Sequence, residues 1–172
     1  GSGKTIVALT TILNVINSKF QVAFMAPTEI LAQQHYTLAK SLLPDNVKID
    51  ILTSKTDNKI RKKIINDLEN HQIDLLIGTH SLFQNKINYR KLGLIIIDEQ
   101  HKFGVKQRKK LSDKGGKNCD ILVMSATPIP RTMIMTIFGD MDVSIIKSKP
   151  KNRKEITTLS KLDKKINEIL AF

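Results

Sequence analysis

Short apolar runs, one of which includes a single acid (Asp74), alternate along this chain with stretches that have helical periodicity. The runs are bounded by polar turns, as expected of strands covered on both faces, and they comprise residues 22–26, 73–77, 94–97 and 121–124. Val47, Ile49 and Ile51 instead alternate with polar residues, which predicts a half-exposed edge strand. Strands that alternate with helices form a mostly parallel α/β sheet, and the sites of such sheets lie at the carboxyl ends of the strands.

Three helices are predicted from the spacing of apolar residues. The first runs from Lys4 to about Asn17. Thr28 is a candidate N-cap for the second helix, because its hydroxyl can accept a hydrogen bond from the first turn. The faces with helical spacing are Leu31, Leu38 and Leu42 in the second helix, and Ile60, Ile64, Ile65 and Leu68 in the third. His35, in the second helix, is compatible with either a solvent-facing or a core-facing position.

Length and composition exclude several classes of protein. The chain has 172 residues, which suits one domain with a fragment of a second. Its longest apolar run, residues 92–97, is far shorter than the roughly 20 residues of a spanning helix, so no membrane partner is expected. The single cysteine, Cys119, precludes an internal disulfide and is expected to be an inert packing residue. A reducing, cytoplasmic setting is therefore the default expectation.

The positive charge is concentrated in two tracts. Of a net charge of +12, residues 102–117 contribute seven basic residues against one acid, and residues 147–154 contribute five basic residues and no acid. Localised charge favours a polyanion as partner, since each Lys or Arg that meets a phosphate releases a condensed counterion. The alternative is a solvated, Lys-rich surface. Because Lys outnumbers Arg, we expect phosphate contacts with little sequence specificity.

The first residues match the end of a phosphate-binding loop, G-x-x-x-x-G-K-[ST]. Small residues allow backbone N–H groups to surround a phosphate, and the following helix presents its positive end. Lys4 is expected to reach the β- and γ-phosphates of ATP, and Thr5 to ligate Mg²⁺. The nucleotide-binding residues predicted here are Gly1, Ser2, Gly3, Lys4 and Thr5. A glycine turn before a helix is the plainer interpretation of the same residues.

Asp98 and Glu99 come directly after a buried apolar run. An acid at the end of a buried strand is costly unless it meets a cation, so Asp98 is a candidate Mg²⁺ partner. Glu99 is then placed to orient and deprotonate an attacking water. With Lys4, these two carboxylates form the predicted catalytic set. Taken alone, the pair is also compatible with a helix N-cap and a solvated acid.

Three other apolar runs end in turns that carry hydroxyl groups. Ser125 and Thr127 are predicted to hydrogen-bond to the acidic motif and to sense the γ-phosphate. The turns at Pro27 and Thr28 and at Thr79 and His80 can offer hydroxyl and backbone N–H groups to a nucleic-acid phosphate. Each of these turns is also compatible with a purely structural role.

In their order and spacing, these motifs resemble the first motor lobe of a superfamily 2 helicase. The segments that carry the resemblance are residues 1–5, APTEILAQQH (26–35), IGTHSL (77–82), IIIDEQHKFGVKQR (95–108) and MSATPIPRT (124–132). DEQH followed by FGV and QR, then ATPIPRT and DMDVSII (140–146), is more narrowly similar to the RecG family of bacterial ATP-dependent DNA helicases. An acidic motif of DEEH would instead favour the transcription-repair coupling translocases.

The resemblance implies a P-loop NTPase fold, with a RecA-like lobe at residues 1–154 whose first strand would precede Gly1. Residues 155–172 would be a linker and the start of a second helicase lobe of the same parent chain. It implies that Gln100, His101, Ser125 and Thr127 couple nucleotide state to DNA, and that Pro27, Thr28, Thr79 and His80 touch the DNA backbone. The implied activity is remodelling of forks and Holliday junctions in bacterial DNA repair and recombination. A non-catalytic remnant of a broken helicase gene is the alternative from another class.

Overall fold

The computed structural model describes residues 3–84, 86–99, 119–126 and 142–146. Both basic tracts, residues 102–117 and 147–154, lie outside these ranges, as does the predicted linker at 155–172. The assignment of residues 155–172 to a linker and a second lobe therefore stays a prediction.

Five parallel strands form one sheet. They are β1 (Gln21–Met25), β2 (Ile49–Leu52), β3 (Leu75–Gly78), β4 (Leu92–Asp98) and β5 (Asp120–Met124), in the spatial order β2-β3-β1-β4-β5. The four apolar runs and the alternating segment all become strands, and the alternating one, β2, lies at an edge as predicted. β5 is less buried than its apolar run predicts, because it is the other edge among the described strands.

Helices cover both faces of this sheet. They are α1 (Lys4–Asn17), α2 (Glu29–Leu42) and α3 (Asn58–Glu69), with a short 3₁₀ helix at His80–Phe83. Buried residues of α1 and α2 pack on one face, and those of α3 pack on the other. The three-layer α/β architecture is thus confirmed. Within the described ranges, no helix combines the length and apolar character that crossing a bilayer requires.

The buried face of α2 is not the leucine stripe. Leu38 and Leu42 are 37% and 52% exposed, whereas Ala32 and Ala39 are fully buried. The small alanine side chains allow the helix backbone to lie close to the sheet, and this rotates the larger leucines outward. The prediction that Leu38 and Leu42 pack on the sheet was therefore wrong, although Leu31 does pack partly against the core.

Gly78 allows the end of β3 to approach β2 closely. A Cβ atom at this position would overlap the carbonyl oxygen of Leu52 and lie 2.9 Å from a methyl carbon of Leu82. The hydroxyl of Ser81 donates to the same Leu52 carbonyl at 2.9 Å. Since the carbonyl and the hydroxyl are both buried at this crossing, the turn after β3 is held firmly against the end of β2.

Gln21 is a fully buried polar residue at the start of β1. Its side-chain Nε2 donates to the carbonyls of Leu68 and Ile73, each at 2.9 Å, and its Oε1 accepts from the backbone N–H of Lys91 at 3.1 Å. One side chain thus connects the end of α3 and the segments that lead into β3 and β4. A buried amide with all these partners satisfied favours one register over its neighbours.

Cys119 lies at the start of β5 and packs partly against the α3 face of the core. Burial, with the nearby charge of Asp120 as a smaller cause, raises the pKa of its thiol to about 11. The thiol therefore keeps its proton at neutral pH, in agreement with the predicted packing role.

Replacing Gln21 with leucine should destabilise the fold by about 2–3 kcal/mol, because two carbonyls and one N–H lose their partner inside the protein. Urea unfolding followed by circular dichroism measures this change. Gln34→Leu is the matched control, since Gln34 lies exposed on α2 and its replacement should alter the free energy of unfolding by less than about 0.5 kcal/mol. Equal stability of the two variants would contradict the role given to Gln21.

At pH 8 the alkylation of Cys119 by iodoacetamide should be about tenfold slower in the folded chain than in urea. A pKa raised from 9.0 to about 11 lowers the thiolate fraction, and the greater nucleophilicity of a more basic thiolate offsets part of that loss. Mass spectrometry of quenched samples gives both rates. Equal rates in the two states would show that the thiol is not desolvated.

Candidate active site

The first turn of α1 has the features of an anion-binding helix N-terminus. Gly3 is its N-cap, with φ 89° and ψ 5°, a left-handed conformation that glycine adopts without strain. No described side chain caps the helix, and its first turn has no acid. The backbone N–H groups and the positive end of the helix dipole are therefore directed at whatever lies before Gly3. Gly1 and Ser2 lie outside the described residues.

The two acidic residues leave the end of β4 in different directions. Alternation along β4 places Asp98 on the same face as Leu94 and Ile96, whose side chains pack with α1 and α2. Glu99 follows the strand with φ 51°, in the left-handed region. The chain turns at Glu99, so the neighbouring carboxylates contact different elements.

Lys4 and Glu99 meet in space. The Lys4 Nζ lies 3.5 Å from Glu99 Oε1, and both side chains are about three-quarters buried. The opening turn of the chain and the acidic motif are thus brought to one place, at the carboxyl edge of the sheet. A lysine and a carboxylate in contact at the N-terminus of a helix can hold a phosphate group on one side and a water molecule on the other.

The turn after β5 also reaches the acidic motif. The backbone N–H of Ala126 donates to Glu99 Oε1 at 3.1 Å. This contact uses the main chain next to Ser125, and the contacts expected of the Ser125 and Thr127 hydroxyls stay predictions. Thr127 lies outside the described residues, as do Gln100 and His101. The Glu99 carboxylate therefore connects α1, β4 and the turn after β5.

His35 is the site residue that sequence reasoning left undecided. Its Nε2 lies 2.9 Å from Oδ2 of Asp98, and the two side chains are 11% and 13% exposed. The imidazole also lies on the ring of Phe24, with centroids 4.6 Å apart. A signal was present, because His35 shares one helical stripe with Ala32 and Ala39 at i, i+3 and i+7, and both alanines face the sheet.

The side chains at this edge fit a magnesium ion bound mainly through a nucleotide. Asp98 offers a hard oxygen ligand, and within the described residues its Oδ1 has no protein partner. Thr5, the second residue of α1, supplies the hydroxyl of the expected phosphate-binding motif. The described residues contain no group of three or more potential metal ligands. Mg²⁺ fits such a site because it typically takes one or two carboxylates together with phosphate oxygens and water.

Two of the strand-exit turns predicted to touch DNA lie side by side, because β1 and β3 are neighbours. Pro27 and Thr28 follow β1, and the Thr28 hydroxyl caps α2 by accepting from the N–H of Leu31 at 3.3 Å. Thr79 is only 4% exposed, and its hydroxyl lies 3.4 Å from that of Ser81. The Thr79 side chain is therefore turned inward in this structure, and its contact with the DNA backbone stays a prediction. His80 is the exposed member of that pair.

The β2–α3 loop is joined to these turns through Glu29. Ser54 Oγ donates to Glu29 Oε1 at 2.5 Å, and Lys55 Nζ lies 3.3 Å from Glu29 Oε2. The hydrogen bond from Ser54, more than the charge of Lys55, lowers the pKa of the Glu29 carboxyl. The three turns that follow β1, β2 and β3 therefore form one connected edge.

Comparison with known proteins agrees with this geometry. Residues 1–136 match the sequence profile of the DEAD/DEAH box helicases. The whole chain aligns with ATP-dependent DNA helicase RecG of Thermotoga maritima at 48% identity and with that of Bacillus subtilis at 47%. These alignments span 22% and 25% of the two relatives. The RecG resemblance predicted from the motifs is confirmed, and the chain spans about a fifth to a quarter of the length of the curated relatives it matches.

Solved structures give the same result for the fold. RecG bound to a three-way DNA junction superposes with a TM-score of 0.84 at 44% identity, over 99% of this chain and 23% of that one. The Hef helicase domain of Pyrococcus furiosus, 22% identical, superposes with a TM-score of 0.62 over 81% of this chain and 31% of that one, and so shares the fold. The parallel five-stranded sheet with its flanking helices is a RecA-like helicase lobe.

Proposed function

The chain belongs to the DEAD/DEAH box helicase family, and we propose that it is the ATP-binding lobe of a DNA helicase that remodels branched DNA. The observation that carries this proposal is the contact between Lys4 and Glu99. It joins a phosphate-binding turn to a hydrolytic carboxylate that lies 95 positions further along the chain.

The nucleotide lies against the start of α1 in this proposal. Backbone N–H groups of Gly1, Ser2 and Gly3 and the Lys4 ammonium bind its phosphates, while Thr5 and Asp98 hold Mg²⁺. When bound, Mg²⁺ neutralises charge that develops on the phosphate oxygens. The Lys4 ammonium and the backbone N–H of Ala126 hold the Glu99 carboxylate in place, and this carboxylate orients a water molecule and accepts its proton.

Coupling to DNA runs through the turn after β5. Ala126 donates to Glu99, so a change in the charge or position of that carboxylate alters this hydrogen bond and with it the backbone next to Ser125. In the family pattern Thr127, Gln100 and His101 complete this connection. A second lobe of the parent protein would close on the nucleotide and supply an arginine, a group worth about 10³-fold or more in related phosphoryl transfers.

DNA contacts lie along the edge formed by the turns after β1 and β3. Pro27, Thr28 and His80 are the surface residues of those turns, and Thr79 shapes one turn from inside. The basic tract at 102–117 follows the acidic motif and adds electrostatic attraction for phosphates. The solved structure of RecG on a three-way junction supports branched DNA as the substrate. We place this activity in fork and Holliday-junction remodelling during DNA repair and recombination in the bacterial cytoplasm.

Lys4→Met should weaken binding of a fluorescent ATP analogue by about 10–100-fold, since a hydrogen bond to a charged phosphate contributes about 1.5–3 kcal/mol. Glu99→Gln should leave that affinity within about threefold and lower single-turnover hydrolysis by about 10²–10⁴-fold, the usual contribution of a general base. Fluorescence titration and release of labelled phosphate provide the two readouts. Lys40→Met, on the exposed side of α2, is the control. Unchanged affinity in Lys4→Met would contradict the proposal.

Affinity for duplex DNA should fall about a hundredfold between 50 and 200 mM salt, as expected for about four neutralised phosphates. It should be the same for two unrelated sequences. Fluorescence anisotropy with labelled duplexes measures both quantities, and a three-way junction of equal length tests the preference for branches.

Replacing Lys109 and Lys110 together with glutamine should lower the slope of log affinity against log salt by about two. The matched control changes Lys62 and Lys63, two exposed lysines of α3 that lie outside the basic tract. If both double variants reduce the slope equally, the charge acts diffusely and the tract has no special role.

A further inference from the structure

We propose that His35 is a positioning residue that holds the Asp98 carboxylate for Mg²⁺. This inference rests on the proposed function, in which Asp98 faces the metal of a bound nucleotide. His35 itself touches neither nucleotide nor metal in this arrangement. Its effect is exerted through the 2.9 Å contact between its Nε2 and Oδ2 of Asp98.

Chemistry determines which group donates in the hydrogen bond between His35 and Asp98. An ionised carboxylate can only accept hydrogen bonds, so Nε2 of His35 carries the shared proton. Oδ2 of Asp98 is then occupied, and within the described residues Oδ1 is left without a protein partner. The terminal torsion of an aspartate is broad, so a carboxylate without a fixed partner would rotate. The donor on one oxygen therefore fixes the direction in which the other oxygen faces.

The ring packing of the imidazole and the fixed position of its helix restrict its orientation. It packs on the fully buried ring of Phe24, and it shares the sheet-facing stripe of α2 with Ala32 and Ala39. The start of α2 is fixed in turn by the Thr28 cap. A side chain that is almost nine-tenths buried against strands and helix keeps its ring orientation. The position of the Nε2 donor is thus fixed by a helix and a strand of the core and does not depend on a loop.

A satisfied core histidine with no influence on the site is the plainer explanation of the same contact. The two explanations differ in what happens at Asp98. If His35 only fills space, an apolar residue of similar size will serve, and its removal will not change the dependence of nucleotide binding on Mg²⁺. If His35 acts through Asp98, the hydrogen-bond donor is needed, and removal of His35 will add nothing once Asp98 is already impaired.

Four variants of the 172-residue chain separate these explanations: His35→Leu, which keeps apolar packing without a donor; His35→Gln, which restores an N–H donor; Asp98→Asn; and the combination of His35→Leu with Asp98→Asn. The probe is a fluorescent ATP analogue, titrated with MgCl₂ and, separately, in EDTA. Gln34→Leu, on the exposed side of the same helix, is the control. Circular dichroism establishes folding, and His35→Met replaces His35→Leu if the latter melts early.

The proposal predicts that His35→Leu raises the apparent dissociation constant for Mg²⁺ about tenfold or more, the usual effect of losing a partner behind a metal ligand. Affinity in EDTA stays unchanged, His35→Gln lies within about twofold of the wild type, and the combined variant matches Asp98→Asn alone. Three results overturn it: no change in His35→Leu, an equal loss in EDTA, or additive losses in the combined variant. A wild-type chain that shows no Mg²⁺-dependent nucleotide binding overturns the proposed function itself.

Discussion

All five strands of this sheet run in the same direction, and the chemistry of the molecule depends on that constraint. In a parallel sheet every strand delivers its following turn to one edge, and each crossover helix begins at that edge. The start of α1, the acids after β4 and the turn after β5 therefore meet, although they are far apart in the chain. The Lys4–Glu99 contact is a consequence of strand direction. The crossover helices that connect the strands impose that direction, and with helices on both faces of the sheet the central strands β1 and β4 are buried.

Two adjacent carboxylates at the end of a buried strand would repel each other and suffer from desolvation. The structure separates them by giving each its own donors. Asp98 turns toward α2 and its histidine, and Glu99 turns toward the lysine of α1 and the backbone of the turn after β5. Each helix on that face of the sheet thus contributes one donor to one acid. The arrangement places the two carboxylates in different electrostatic surroundings, which suits the different roles proposed for them, metal binding for Asp98 and proton transfer for Glu99.

The fold could be predicted largely from the sequence, because apolar runs and alternating runs reflect burial directly. β5 was less buried than predicted, since a continuous run does not show which strand lies at an edge. The leucine stripe of α2 does not show the buried face, because hydrophobicity alone does not identify it. The small alanines at 32 and 39 set the packing of the helix on the sheet. His35 could have been placed from that same stripe. The contact of Ala126 with Glu99 could not, because a backbone N–H is present in every residue except proline and leaves no trace in the sequence. The burial of Thr79 could not be predicted for a related reason, since the sequence does not show whether a hydroxyl in a turn faces solvent or a neighbouring serine.

The left-handed backbone at Glu99 has a consequence for how this protein tolerates change. A non-glycine residue in that region carries about 1 kcal/mol or more of conformational strain, which glycine would not. The residue type with the least backbone strain at position 99 is thus glycine, which has no carboxylate. If this strain exceeds what the contacts with Lys4 and Ala126 return, selection for thermal stability alone would favour replacing the acid, whereas the hydrolytic role proposed for Glu99 would favour keeping it. A gain in melting temperature on mutation at this site, accompanied by loss of activity, would be the mark of a residue retained for its chemistry against the preference of its own backbone.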